Sequence, residues 1–508
     1  MQQGEHRIER PNTLRLVYWE SLLALRSRGV QISLAMFGLL LVIAIVLGVI
    51  RTQARQNDAR LAEQENQSVK EIFDNVLQGT LDPDDATKES SDRQSRLKKQ
   101  LRMTAKSPYM MSHAANLWDV SLFPSPLSAL SVGVSQTWPD LYRIHGVSLS
   151  KTVERSDQIR PITNAYGPFD IAFVVMAIAP LVVIGLTFNV SSRDRESALQ
   201  NLMLAQTQSI GKLMAVRCFV RSVLVIGLVL LIVNVALLIA FGSQFDLNVV
   251  INLTIWNVVA ALYLLTWASL SLFVNSFAKS SSTNGAALLL LWLILVLLIP
   301  RFVSSAVQKA VPTLPESELV EREKSAFDDA SENTDGADGL VRQFQSEHPD
   351  VEIELDDEQQ MALVNYLLAH KAAGGKATEN VSSHYSGQSL RARYLNFCDW
   401  ISPAISFRNQ SDQCSGNSER AFVSFSARAA EMQSEVLEVF LRPSIANEEC
   451  TAETIAALPS FQETEIPRRP SLPDSIQSIA SMLVWLTILM VLGLRKFRVK
   501  DLPGDKNA

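Results

Sequence analysis

Cysteine and histidine are scarce in this chain, and their scarcity excludes several kinds of site. Its 508 residues include only four cysteines and six histidines. The sequence has no Cys-x-x-Cys pair and no pair of histidines at helical i, i+4 spacing, so neither a metal site nor a histidine-based catalytic centre is expected.

A phosphate-binding loop is also missing. Such a loop needs Gly-x4-Gly-Lys-Ser/Thr, so that its backbone amides converge on the phosphates. Gly211-Lys212 lacks the earlier glycine and is followed by Leu213, and Gly374-Gly375-Lys376-Ala377 is also incomplete. The chain therefore has no ATP site of its own, and no other cofactor and no nucleic-acid partner is expected.

What the chain has is apolar sequence in long runs, within a hydrophobic content of 47%. The candidate membrane spans are residues 31–50, 168–190, 219–241, 249–273, 284–303 and 478–494. At ~1.5 Å per residue, each is long enough or nearly so to cross the hydrocarbon layer. The first has no cleavage site after it and is expected to stay as an anchor. These runs predict an all-α polytopic membrane protein with six transmembrane helices.

Basic residues indicate the orientation. They concentrate in residues 1–30, in the segment 191–217 between spans two and three, and in the tail 495–508. With six spans, all these segments lie on one side, which the positive-inside rule assigns to the cytoplasm. Both termini are therefore expected to be cytoplasmic. Within residues 1–30, the sequence that begins at Pro11 predicts an interfacial helix along the inner leaflet, in contact with membrane lipids.

Two long connections, residues 51–166 and 304–475, are then expected outside the membrane. Together they are large enough to share a core, so we expect one mostly helical outer domain built from both. The periodicity of the second connection predicts a long amphipathic helix that ends before Pro443. An oxidising compartment permits a disulfide, and Cys398 with Cys414 is the expected pair; the alternative is that no cysteines pair.

The segment 191–217 is the strongest functional signal, because it is charged, amphipathic and placed between two membrane spans. We expect a short helix parallel to the membrane that inserts into a groove of another protein, although a charged loop that only ends two spans is the alternative. Its charged start comprises Arg193, Asp194, Arg195 and Glu196, and its apolar side comprises Leu199, Leu202, Met203 and Ile210.

Several stretches together resemble a known family of permeases. They are GPFDIAFVV at 167–175, APLVVIGLTFNV at 179–190, SSRDRESALQNLMLAQ at 191–206, GKL at 211–213, and PLSALSVGVSQTWPDLY at 126–142. This pattern resembles the ABC-2 type transporter permeases, which have the type V ABC exporter fold. More narrowly, it is similar to the branch with two large periplasmic insertions.

The resemblance implies a permease subunit of an ABC exporter in a bacterial inner membrane. Residues 193–212 would then form a cytoplasmic coupling helix that docks on a separate ATPase subunit. Arg195 and Glu196 match the charged start of that helix, and Gly211 and Lys212 match its end. A second permease subunit, either a sister chain or a second copy, is also implied. A further periplasmic partner, the substrate and the role of the outer domain stay open.

Two features depart from the family pattern. Glu196-Ser197-Ala198-Leu199 stands where Glu-Gly-Thr-Leu is usual, and a proline near 206–208 is missing. Alanine in place of glycine favours helix at this point. The departures affect the expected contacts of the coupling helix rather than the family resemblance.

Three asparagines within the spans also require an interpretation. Asn234, Asn252 and Asn257 are costly in contact with lipid, so we expect them to face other helices; they either form interhelical hydrogen bonds or line a substrate path. The competing function for the whole chain is an ATP-independent membrane scaffold or sensor with a partner-binding outer domain. Under that hypothesis, residues 193–212 would be dispensable.

Overall fold

The structure is a computed structural model. It describes residues 13–77, 118–144, 169–196, 210–277, 279–312, 321–322, 324–325, 327–329, 334–349, 358–446, 448–461, 466 and 472–500.

The described residues are mostly helical. The first helices are α1 (Thr13–Arg26), α2 (Arg28–Leu77), α3 (Ile171–Phe173, continued by a π turn at Val174–Ile178 and by Ala179–Thr187), α4 (Ser192–Glu196), α5 (Ile210–Phe241) and α6 (Leu247–Asn275). The later ones are α7 (Ser281–Trp292, continued by a π turn at Leu293–Leu298 and by Ile299–Ala310), α8 (Thr334–Glu347), α9 (Glu358–Phe397), α10 (Pro403–Cys414), α11 (Glu419–Ile445), α12 (Ala452–Ala456) and α13 (Leu472–Lys500).

Six segments of the described chain are helical, long and apolar enough to cross a membrane, which confirms the expected number of candidate spans. They lie in α2, α3, α5, α6, α7 and α13. The four segments α1, α4, the α6–α7 connection and the end of α13 lie at one end of the bundle, here called the termini side. The long connections leave from the other end, here called the loop side. The fourth span is continuous helix despite its asparagines and threonine.

Pro180 shapes the second span, because it has no backbone N–H to donate. A proline deprives the carbonyl four residues earlier of its helical donor. The Tyr263 hydroxyl donates to that carbonyl, on Met176, at 2.6 Å, and the Trp292 indole donates to the next, on Ala177, at 2.9 Å. Side chains of α6 and α7 thus satisfy the carbonyls that the π turn and Pro180 release.

The described chain is mostly helical, as expected, but the first long connection also contains a short strand pair that was not expected. The described part of this connection contains strands β1 (Trp118–Ser121) and β2 (Leu141–Ile144), paired antiparallel with Trp118 opposite Ile144. Between them the chain forms a short 3-10 helix, Pro126–Ala129, and irregular turns. The aromatic and proline-rich sequence here disfavours a continuous helix.

The two long connections share a core. Val120 and Leu122 of the first connection pack with Phe422 and Phe425 of α11 in the second. The Tyr142 hydroxyl also lies 2.7 Å from that of Ser426. Helix α11 supplies half of the buried residues of this core, because its apolar residues recur at helical spacing and keep one face buried.

The expected end of α11 before Pro443 is wrong, since the helix continues to Ile445. A proline in the last turn removes a single helical hydrogen bond, and Ala446 still donates to the Arg442 carbonyl at 2.9 Å. The buried side chains of Leu441, Ser444 and Ile445 hold this final turn against the core.

Helix α10 packs among the membrane spans, although residues 304–475 were all predicted to lie in an outer domain. Ala404, Phe407 and Cys414 belong to the same buried core as the membrane spans. The Phe407 ring stacks on that of Tyr263, near the middle of α6, with 5.0 Å between centroids. Helix α10 is therefore re-entrant: it enters the bundle from the loop side and returns to it.

Candidate functional site

The charged start of the segment 191–217 forms helix α4, directly after the second span. Arg193 and Glu196 are exposed, whereas Asp194 and Arg195 are half-buried. Among the other predicted docking residues, Leu199, Leu202 and Met203 lie outside the described residues. The geometry of the site therefore rests on the two ends of the segment.

Arg195 and Glu196 hold the connection between α6 and α7. The Arg195 guanidinium donates to the Lys279 carbonyl. The Glu196 carboxylate accepts the Ser281 amide at 3.0 Å and the Ser281 hydroxyl at 3.0 Å. Ser281 is the first residue of α7, where the helix dipole and free amide groups favour an anion. These side chains, predicted only as contacts for a partner, thus tie α4 to the neighbouring connection.

Arg217 is the residue that the sequence interpretation missed. Its guanidinium lies between two carboxylates: Glu20 of α1, at 2.9 Å, and Asp194 of α4. All three side chains are largely buried, with 16%, 12% and 14% of their surface exposed. The signal in the sequence was an arginine about two turns after the start of a largely apolar helix, because a charge there needs partners. Arg217 thereby joins α1, α4 and α5.

A chain of buried polar side chains continues from α4 into the bundle. The Ser192 hydroxyl lies 2.8 Å from that of Ser281. Deeper in the bundle, the Asn275 amide donates to the Thr187 carbonyl at 3.1 Å, and Asn284 donates to Asn275 at 3.3 Å. These contacts link α3, α6 and α7 where interhelical hydrogen bonds resist separation.

Gly211 and Lys212, the predicted end of the coupling segment, form the start of α5. Lys212 is exposed, and Gly211 is buried against α13. A Cβ atom at position 211 would lie 3.1 Å from the Phe497 Cβ, so glycine permits close packing of the two helices. Gly211 consequently has a packing function that its place in the motif did not indicate.

The structure brings two of the three predicted asparagines together. The Asn234 and Asn257 side-chain amides donate to each other's oxygens, at 3.1 and 3.0 Å, between α5 and α6. Asn252 is buried nearer the loop side of α6. The reciprocal pair satisfies both amides, which supports interhelical bonding rather than a substrate path at that position.

The expected disulfide between Cys398 and Cys414 is not formed, and all four cysteines are free thiols. Cys398 precedes α10 and Cys414 ends it, so the 12-residue helix lies between the two residues. Cys414 is buried in the bundle, and its sulfur accepts the Gln410 side-chain amide at 3.5 Å. Among the described residues, no group of three or more His, Cys, Asp or Glu side chains could hold a metal ion.

Comparison with known proteins agrees with this architecture. A family model described as "ABC-2 family transporter protein" matches residues 33–502. No curated protein and no solved structure gives a match. Membrane proteins of this family carry no ATPase domain themselves and generally pair with an ABC ATPase. Because the match covers most of the chain, this multi-pass membrane protein belongs to the ABC-2 transporter family.

Proposed function

We propose that this protein is the permease subunit of an ABC exporter, and that residues 193–212 form the coupling helix that docks on a separate ATPase subunit. ATP-driven closure of the paired ATPases would move this segment and rearrange the spans. The observation that carries the proposal is the anchoring of α4: Arg217 ties it to α1 and α5, and Glu196 ties it to Ser281. A force on α4 would therefore reach several spans at once.

The distribution of charge supports the corresponding topology. The termini side carries Arg193, Lys212, Lys279, Arg495 and Lys496, which are basic residues close to span ends. The positive-inside rule assigns that side to the cytoplasm. The long connections would then form a periplasmic domain in a bacterial inner membrane. A second permease subunit, identical or a sister chain, would complete the transporter.

The test is co-purification of the chain with a candidate ABC ATPase that is co-expressed with it. The double variant Leu202→Glu/Met203→Glu places two charges on the predicted apolar docking side, and we expect it to lose the ATPase. Lys309→Glu, a charge change at an exposed position near the loop side, is the matched control and should keep the ATPase bound. Undiminished binding by the double variant would instead favour an ATP-independent scaffold or sensor.

Orientation is tested separately in intact cells. In a cysteine-free chain, a cysteine at Arg193 should resist a membrane-impermeant maleimide until the cells are permeabilised. A cysteine at the exposed Glu431 of α11 should react at once. Immediate reaction at position 193 would place α4 outside and would exclude docking on a cytoplasmic ATPase.

A further inference from the structure

The re-entrant helix α10 occupies the loop-side half of the bundle. Phe407 lies against the rings of Tyr263 and Trp256, with centroids 5.0 and 6.2 Å away. The Trp256 indole donates to the Ser411 hydroxyl at 3.1 Å. Ser402, which caps the helix, donates to the Leu295 carbonyl at 2.7 Å, within the π turn of α7. Side chains of α6 and a backbone carbonyl of α7 thus hold α10.

A segment of the first long connection, residues 126–135, covers the other side of α10. The Ala172 amide at the start of α3 donates to the Leu130 carbonyl at 2.9 Å. Leu127 and Leu130 are fully buried in the core of the spans. The Asn417 side chain, just beyond α10, donates to the Ser131 carbonyl at 2.6 Å. The first part of the motif 126–142 therefore packs into the bundle, whereas Val134, Trp138 and Tyr142 pack against the core shared by the two long connections.

The approach between segment 126–135 and the chain after α10 is very close. Gly133 has a φ of +52°, and a Cβ atom there would lie 2.1 Å from the Asn417 carbonyl oxygen. The Val134 amide donates to that same oxygen at 3.1 Å. Only glycine fits this position, both for its backbone conformation and for the space available.

One arginine joins α10 to α3. Arg408 lies 3.6 Å from the Asp170 carboxylate and 3.2 Å from that of Asp412. Asp170 is fully buried, caps α3 by accepting the Phe173 amide at 2.7 Å, and also accepts the Val132 amide at 2.9 Å. Without Arg408, two carboxylates would face each other in a largely buried site.

We propose that α10 and segment 126–135 form a plug that closes the loop side of the bundle, and that Arg408 is the residue that latches it. Ion pairing of Arg408 with Asp170 and Asp412 holds α10 against α3 and against the first connection. Loss of this pairing frees α10 to move away from the spans. That the plug acts as a gate for substrate rests on the proposed transport function. That Arg408 holds the plug closed does not depend on that function.

Native Cys414 reports on the plug, because it ends α10 and is only 1% exposed. The other cysteines, Cys218, Cys398 and Cys450, are replaced by alanine, and the protein is placed in lipid nanodiscs. Labelling of Cys414 by a bulky maleimide then measures how often α10 opens. The nanodisc exposes both faces and needs no ATPase, so this experiment can fail or succeed independently of ATPase docking.

Arg408→Gln should accelerate labelling of Cys414 at least about tenfold, since it leaves two buried carboxylates unpaired. Adding Asp170→Asn and Asp412→Asn removes that repulsion and should reverse most of the acceleration. Arg428→Gln, which breaks ion pairs with Glu431 and Glu435 away from the plug, is the matched control and should label at the parent rate.

Two outcomes would overturn the latch. One is labelling of Arg408→Gln at the parent rate. The other is equal acceleration in Arg428→Gln, which would indicate general loosening of the loop-side structure. The triple variant tests whether misfolding causes the fast labelling, because slow labelling is restored only if the plug is folded.

Discussion

Arg217 joins three helices on the termini side, although its place in the sequence indicates no such contacts. It bridges the carboxylates of Glu20 and Asp194, and so joins α1 and α4 to α5. Arg217→Gln should lower the free energy of unfolding by about 1.5–3 kcal/mol, the range for a hydrogen bond to a charged group. Thermal unfolding in detergent measures the loss.

The control for Arg217 is Val223→Ala, at an exposed position on the same helix, which should change stability little. If both substitutions leave the unfolding transition unchanged, the two ion pairs make no net contribution. If both substitutions lower the stability equally, the loss comes from a general disturbance of α5 rather than from the broken ion pairs of Arg217.

Asp399, on the loop side, should make the stability of the fold depend on pH. Burial raises the pKa of this carboxyl to about 6, although hydrogen bonds from Ser478 and Asn409 partly oppose the shift and Asp474 adds to it. The unfolded pKa is about 3.9, so between these values the native state binds more protons than the unfolded chain. The resulting stability is fully present below pH 4 and is lost as pH rises through 6.

Asp399→Asn should therefore flatten the pH dependence of stability. Between pH 4 and pH 7.5, the parent should lose up to about 3 kcal/mol more than the variant, which corresponds to two pKa units. Thermal unfolding of both proteins across this range measures the difference. Parallel curves for the two proteins would show that Asp399 does not titrate with a raised pKa.

At the scale of elements, α5 and α6 are joined within the membrane by the reciprocal amides of Asn234 and Asn257. Replacement of each by leucine, singly and together, forms a double-mutant cycle. We expect a coupling energy of about 0.6–1.7 kcal/mol, the range for interhelical hydrogen bonds in membranes. Additive losses would show that the pair contributes no coupling, and Thr254→Val at an exposed position of α6 is the reference substitution.

The spans could be predicted from sequence because length and apolar composition are local properties. The consequence of Pro180 could also be predicted, since proline always frees a carbonyl. Helix α10 could not: it has only 12 residues, and Arg408, Asn409 and Asp412 make it too polar to suggest burial. Its place depends on partners far along the chain, such as Asp170 and Ser131, which no local pattern reveals.

The same limit applies to the candidate site. Charge clustering drew attention to Arg195 and Glu196, but their partners at Lys279 and Ser281 lie more than 80 residues away. The sequence therefore indicated which segment has a function, whereas only the fold shows to what it is attached. Gly211 is a further case, because its contact with Phe497 joins two distant spans.

Considered as a whole molecule, α3 connects the two ends of the bundle. At its beginning Asp170 faces the plug, and after its end Ser192 and Glu196 reach Ser281. Between them, the Met176 carbonyl is held by Tyr263, whose ring also stacks on Phe407 of α10. A displacement of α4 along the bundle would thus act on α10 both through Asp170 and through the aromatic contact.

This connection predicts that the state of the termini side controls the plug. In nanodiscs that contain the permease with its bound ATPase, ATP should accelerate labelling of Cys414, because movement of α4 is passed through α3. Ser281→Ala removes the hydroxyl that bridges Ser192 and Glu196, so it should keep the ATPase bound but reduce the response to ATP. Arg408→Gln should label fast with or without ATP. Unchanged labelling in the parent upon addition of ATP, with the ATPase bound and active, would mean that the two ends move independently.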